Sequence, residues 1–198
     1  KAYVLPSGQH DPLTAKKFVN LLLVSGVEVH QSKAQFIVDH RVYGPGSFVV
    51  SMAQPKQGLV RWMIGRTFYP DNTYTRDAEG NPIRPYDMST DTFAEFMGVR
   101  SDPVGERVTA DLVKLTAHVP LVGRVASNAA GGHRLSATLN DSFRAVHLLL
   151  DRGATVHRVA RPVEGAAPGD FIVTAASNEV LAEVAKTTGV DFITASGL

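Results

Sequence analysis

The sequence holds seven histidines, His10, His30, His40, His118, His133, His147 and His157, the residues best suited to holding zinc or moving protons. A zinc peptidase fixes its metal with His-Glu-x-x-His on a helix, or with His-x-x-Glu and a distant histidine, because ligands three or four apart share one helical face. None of the seven has a glutamate three positions on. His30 and His157 read instead as polar strand-end residues at matched places. A serine hydrolase of the α/β type needs Gly-x-Ser-x-Gly at a strand-to-helix elbow. The nearest stretch, RVASNAAGG around Ser127, lacks the glycine two before the serine and reads as a loop. Gly131 and Gly132 do not complete a dinucleotide-binding fingerprint, and no Gly-Lys-Ser/Thr phosphate loop occurs. With no cysteine in the chain, disulfides, thiolate zinc sites and cysteine nucleophiles are excluded.

Two groups of polar residues remain. Ser7, Gln9, His10 and Asp11 follow the first expected strand and precede a helix, and Gln54 follows the third. In an open parallel sheet these loops share the carboxyl edge where ligands lodge. The same residues also read as turn and cap chemistry: Ser7-Gly8 as a turn, and Asp11 as an N-cap ahead of Pro12. The second group lies in the irregular, aromatic-rich segment from Phe68 to Glu106. Tyr69, Tyr74, Arg84, Tyr86 and Asp87 form a candidate contact surface there, with Arg84 and Asp87 as an internal pair and Phe93 and Phe96 nearby. Aromatics among turn residues anchor interfaces.

Composition narrows the class further. Twenty basic and nineteen acidic residues leave a formal charge of +1, without the basic excess of a nucleic-acid binder or a polybasic membrane contact. No apolar run reaches the ~18 residues that span a bilayer. The chain starts at Lys1, which reads as a fragment or processed product of a longer protein.

The elements that must position these residues occur twice. VNLLLVSGVEVH (19–30) and VHLLLDRGATVH (146–157) are identical at seven of twelve positions, and PGSFVV (45–50) answers PGDFIV (168–173). Each first match reads as the end of a Leu-rich helix, a glycine stop and a strand. The stripes expected to be buried are Phe18, Val19, Leu22 and Leu23, widened by Leu21, and Phe143, Val146, Leu149 and Leu150. Asn140 is the expected cap of the second helix. Each second match reads as a strand buried on both faces, as in parallel sheets. Further helices are expected over Lys56–Gly65 and Asn178–Thr188, and a last strand over VDFITA. The expected fold is a single three-layer α/β/α domain with an open, mostly parallel sheet. It consists of a first half (1–67), an irregular insertion (68–106) and a second half (107–198), and duplication of the halves is the favoured account of the repeat.

YVLPSGQHDPLTAKKFVNLLLVSGVEVHQS, YGPGSFVVSMAQP, FYPDN and RPYDMSTDTFAEFMGV together resemble the segment that follows the catalytic domain in bacterial zinc carboxypeptidase-like proteins, a segment similar to class I glutamine amidotransferases. The resemblance implies a flavodoxin-like or amidotransferase-like fold and a non-catalytic accessory role, with the peptidase domain of the same polypeptide as partner. It further implies that zinc is held only in that preceding domain, none in this chain, and that the parent is exported to the periplasm or beyond. Lacking a cysteine, the chain can inherit no glutaminase residues. The alternative is a small-molecule-binding domain or cysteine-free hydrolase that uses the strand-edge loops.

Overall fold

The apolar run AYVL forms strand β1 (Ala2–Leu5), and Pro6, which has no N–H to give a ladder, follows it. Residues 1–66, 70–84, 93–127 and 131–195 are described by this computed structural model. They fall into two units, one of residues 1–8 and 21–117 and one of residues 9–20 and 118–198. Helix α1 (Pro12–Val24) therefore contributes its residues up to Asn20 to the second unit and the rest to the first. The first unit continues with β2 (His30–Ser32), the hairpin β3 (Phe36–Val38) and β4 (Arg41–Tyr43), β5 (Phe48–Ser51) and α2 (Gln57–Ile64). After a 3-10 turn at Thr73–Thr75 come α3 (Phe93–Phe96), β6 (Asp102–Val104) and β7 (Leu112–Lys114). The second unit adds β8 (His133–Leu135), α4 (Asn140–Asp151), β9 (Thr155–Arg158), β10 (Phe171–Ala175), α5 (Asn178–Thr188) and β11 (Ile193–Thr194).

The sheets overturn the expected parallel, flavodoxin-like or amidotransferase-like fold. Their orders are β6-β1-β5-β2-β7 and β11-β8-β10-β9, and every ladder in both is antiparallel. Each Pro-Gly turn sends the chain back between the two strands it has just left. The flanking strands keep a common direction but never pair with each other. The result is a β-α-β-β-α-β sandwich of the split, ferredoxin-like kind, with the fourth strand beside the first and the third between first and second. The carboxyl edge on which the ligand alternative rested does not exist here, because neighbouring strands end on opposite sides.

One topology thus appears in both units, and the repeated segments occupy matching places in it. His30 pairs with Val49 and Gln31 with Phe48; in the second unit His157 pairs with Ile172 and Arg158 with Phe171. The residue inside Pro-Gly-x-Phe has matching work too. Ser47 Oγ accepts from the Ser7 N–H at 3.1 Å and donates to the Gly44 carbonyl at 2.7 Å. Asp170 accepts from the N–H groups of Ala137 at 2.9 Å and Ala167 at 3.0 Å, and from Arg134 at 2.6 Å. Each side chain closes the loop that leaves the first strand of its unit.

Double-faced burial, read in sequence as a sign of parallel strands, has another cause. In the second unit Phe171 and Val173 pack under Ala145, Leu149, Leu181 and Val184 of the helices, while Ile172 meets Val159 and Ala195 on the far side. In the first, Val49, Ala2 and Val4 face Phe36, Val38 and Tyr43 of the hairpin. Gly26 (φ +77°) and Gly153 (φ +75°) end α1 and α4 in the left-handed region, where only glycine is unstrained. The buried stripes are narrower than expected. Leu22 and Leu149, the middle leucines of the repeat, are wholly buried, but Leu21 and Leu150 face solvent and Phe143 is 41% exposed. Asp141 and Ser142 occupy the buried face of α4 instead, with Lys17 Nζ 2.5–2.6 Å from the Asp141 carboxylate. Nor is Asn140 a cap: it is the first helical residue, and its N–H is taken by Asp11 at 2.9 Å.

Burial alone would push the Asp11 and Asp170 carboxyls up, but the N–H groups and, for Asp170, the Arg134 guanidinium outweigh it and hold both below the usual aspartate range. Both are easier to ionise folded than unfolded, so unfolding in acid takes up protons. Their contribution is complete above the unfolded carboxylate range and disappears as pH falls through and below about 4. Denaturant titration should show Asp170→Asn losing about 3 kcal/mol at neutral pH, with a shallower further loss between pH 5 and about 2 than the parent chain.

Candidate functional site

Strand residues two apart project from one face, so the match in register places matching side chains on matching surfaces. In each unit a cleft opens on the sheet face away from the helices. The first, of about 660 Å³, is lined by His30, Val49 and Ser51, with Lys1, Arg107, Val108 and Leu112 at its margins. The second, of about 480 Å³, is lined by His157, Ile172 and Thr174, with Arg158, Val159, Arg161 and Val163. A histidine paired with a β-branched floor residue recurs in the same register, and a hydroxyl follows two residues on, regularly paired in β5 and within an irregularity of β10. Both clefts combine an apolar floor with cationic groups at the rim, joined in the first by the Glu106 carboxylate; the second, without a carboxylate, suits an apolar side chain with a nearby negative charge.

One wall of the first cleft depends on an unfavourable turn. Asp39 (φ +48°) and His40 (φ +58°) join β3 to β4 in left-handed conformations that glycine and asparagine adopt more readily. The Asp39 carboxylate accepts from the N–H groups of Gly105 at 2.6 Å and Glu106 at 3.2 Å, tying the turn to the stretch that borders the cleft. At the other end of the hairpin the Tyr43 hydroxyl donates to Asp102 at 3.2 Å, and Arg100 pairs with the same carboxylate at 2.9 Å. Burial pushes the Tyr43 phenol above its ordinary value, and the Asp102 charge adds to that against the pull of Arg41.

The residues singled out from sequence do not assemble into one site. Asp11 is a true cap: it accepts from the Thr14 N–H at 2.9 Å and the Thr14 hydroxyl at 2.7 Å as well as from Asn140. Gln54 is buried and occupied, accepting from the Glu28 N–H at 2.8 Å and donating to the carbonyls of Glu28 and Ser51. The Ser7 backbone is held by Ser47, and Gln9 and His10 sit on the loop before α1, half-buried and exposed respectively. Ser7 and Gln54 belong to the first unit, the other three to the second. Of the candidate contact surface, Tyr74 is 92% exposed on the 3-10 turn and Arg84 is exposed, while Tyr69, Tyr86 and Asp87 lie outside the described residues. Phe96 is also largely exposed. The DAEGNP tip is an exposed turn closed by Asp77, which accepts from the N–H groups of Glu79 and Asn81.

Ser127 and His133 share a separate cleft of about 390 Å³, where His133 Nε2 donates to the Ala126 carbonyl at 2.9 Å. Among the described residues no three of His, Asp and Glu converge as ligands for a metal. Asp39, Asp102, Asp170 and Arg134 were not singled out from sequence, because each has a partner distant in the chain: Gly105 for Asp39, Tyr43 for Asp102, and Arg134 and Asp170 for each other. It had matched His30 with His157, the one part of the cleft pattern visible beforehand. No protein-family model, curated protein or solved structure matches this chain.

The turn supplies a test of how the cleft wall is held. Replacing His40 with glycine should raise stability by about 1 kcal/mol, because the left-handed penalty disappears. Asp39→Ala should lower it by about 2 kcal/mol, because two N–H groups lose their acceptor. Thermal or denaturant midpoints of the two variants read both signs.

Proposed function

We propose that this chain is a non-catalytic accessory module that works by holding polypeptide, and that its partner is the peptidase domain of a zinc carboxypeptidase-like parent. The observation that carries the holding role is the recurrence of one cleft, with a histidine and a β-branched floor residue in the same register and a hydroxyl close by, on the corresponding face of both units. A catalytic centre gathers different groups at one place, whereas a repeated surface of modest chemistry suits multivalent grip. The polar residues that catalysis would draw on, Asp11, Asp102, Asp170 and Gln54, are committed to main-chain and arginine partners. The choice of partner rests on the sequence resemblance.

Peptidase assays of this chain alone, of the longer parent and of the parent with this segment deleted test the reading. Turnover is expected only in the parent, and deletion should lower kcat/KM. In the parent, combining His30→Ala with His157→Ala should cut kcat/KM roughly fivefold, the worth of an interface contact of about 1 kcal/mol, with the melting temperature unchanged. Turnover by the isolated chain that survives repurification would end the non-catalytic reading.

A further inference from the structure

The main sheets of the two units match strand for strand except at one edge. In the first, β2 does not end its sheet, because β7 pairs with it through His30–Lys114, Gln31–Val113 and Ser32–Leu112. In the second, the equivalent strand β9 is last in the order β11-β8-β10-β9, and no described strand lies beyond it. Burial reflects this difference: His30 and Gln31 of β2 are half-buried, whereas their counterparts His157 and Arg158 of β9 are exposed. An uncovered edge offers a row of main-chain donors and acceptors for a further strand. Beside it lies the second cleft, with its floor of Val159, Val163 and Ile172.

We propose that β9 is a strand-addition site for an extended, acidic polypeptide segment that pairs with this edge as β7 pairs with β2. Val159 exchanges hydrogen bonds with the β10 side, its N–H donating to Asp170 O at 2.8 Å and its carbonyl accepting from Gly169. Antiparallel ladders alternate, so the N–H and C=O groups of Val156 and Arg158 point away from the sheet. Alternate side chains of an added strand fall over the cleft floor. The charge of the occupant follows from the lining, where Arg161 and His157 stand with no carboxylate, while the Arg158 guanidinium lies over the Phe171 ring on the other face of the same edge. The same cations oppose pairing of β9 with β9 of a second copy, because two such edges would bring like charges together. This inference rests on the open edge, not on the identity of the partner domain, and it can fail while the accessory role stands.

The probe is a fluorescent, end-blocked hexapeptide alternating glutamate and valine, titrated into the full chain by anisotropy with amide exchange followed by NMR. Saturable binding is expected, with new protection at the Val156 and Arg158 amides. A version with lysine in place of glutamate, and one N-methylated on the amides that face β9, should each bind at least about tenfold more weakly. Val156→Pro and Arg161→Glu should weaken binding similarly, and the N-methylated peptide keeps the test decisive if the proline variant does not fold. Equal binding of the acidic and basic peptides, or unchanged exchange at Val156 and Arg158, would overturn the proposal. So would a concentration-dependent dimer that Val156→Pro abolishes, since that would assign the edge to self-pairing.

Discussion

Everything distinctive about this chain depends on where its third strand goes. β5 and β10 enter between two strands already laid down, pair antiparallel with both, and are buried on both faces. Insertion fixes the register, and register fixes which side chains face the helices and which face away. A shift of one residue would bring Val49 and Ile172 under the helices and Phe48 and Phe171 to the far side. Because the helices take only one face, the other has to be covered by what the connections supply. In the first unit that is a hairpin, in the second a loop, and each leaves a cleft with the matched histidine at its margin.

Polar groups with the character of catalytic residues hold these connections together. Asp170 and Ser47 close the loop after the first strand, Asp39 ties down the hairpin turn, Asp102 binds Tyr43 and Arg100, and Asp11 caps α1 while accepting from Asn140. A buried carboxylate is costly unless its lone pairs are filled, and here main-chain N–H groups or guanidinium groups fill them. A carboxylate so committed has little capacity left to take a proton from a substrate.

Several local features were legible in advance. Asn178–Thr188 is a helix over the expected range, Gly26 and Gly153 stop their helices, Asp11 caps, and DAEGNP is an exposed turn. The strands of the repeated units were found but paired wrongly, and the hairpin β3–β4 and the strands β6 and β7 were not expected. A continuous apolar run such as FIV signals burial on two faces, and it is silent on whether helices or a hairpin provide the second cover. Leu21, Phe143 and Leu150 were assigned to buried stripes because hydrophobicity was read without direction, yet Asp141 and Ser142 take that face of α4. The clefts were half visible, as two histidines at the same place in a repeat, but not the sheet face that gives those histidines a floor.

By itself the sequence determined the helices and strands of the repeated units, their stops and the fact of repetition, because these follow from spacing, glycine and proline within a few residues of one another. Tertiary structure alone decided that the strands run antiparallel, that Asp170 meets Arg134 and Asp39 meets Gly105, and that among the described residues β2 gains a neighbouring strand while β9 does not. Those outcomes depend on contacts between segments tens of residues apart, where loop closure and the competition for a buried edge settle the pairing, and no local pattern carries that information.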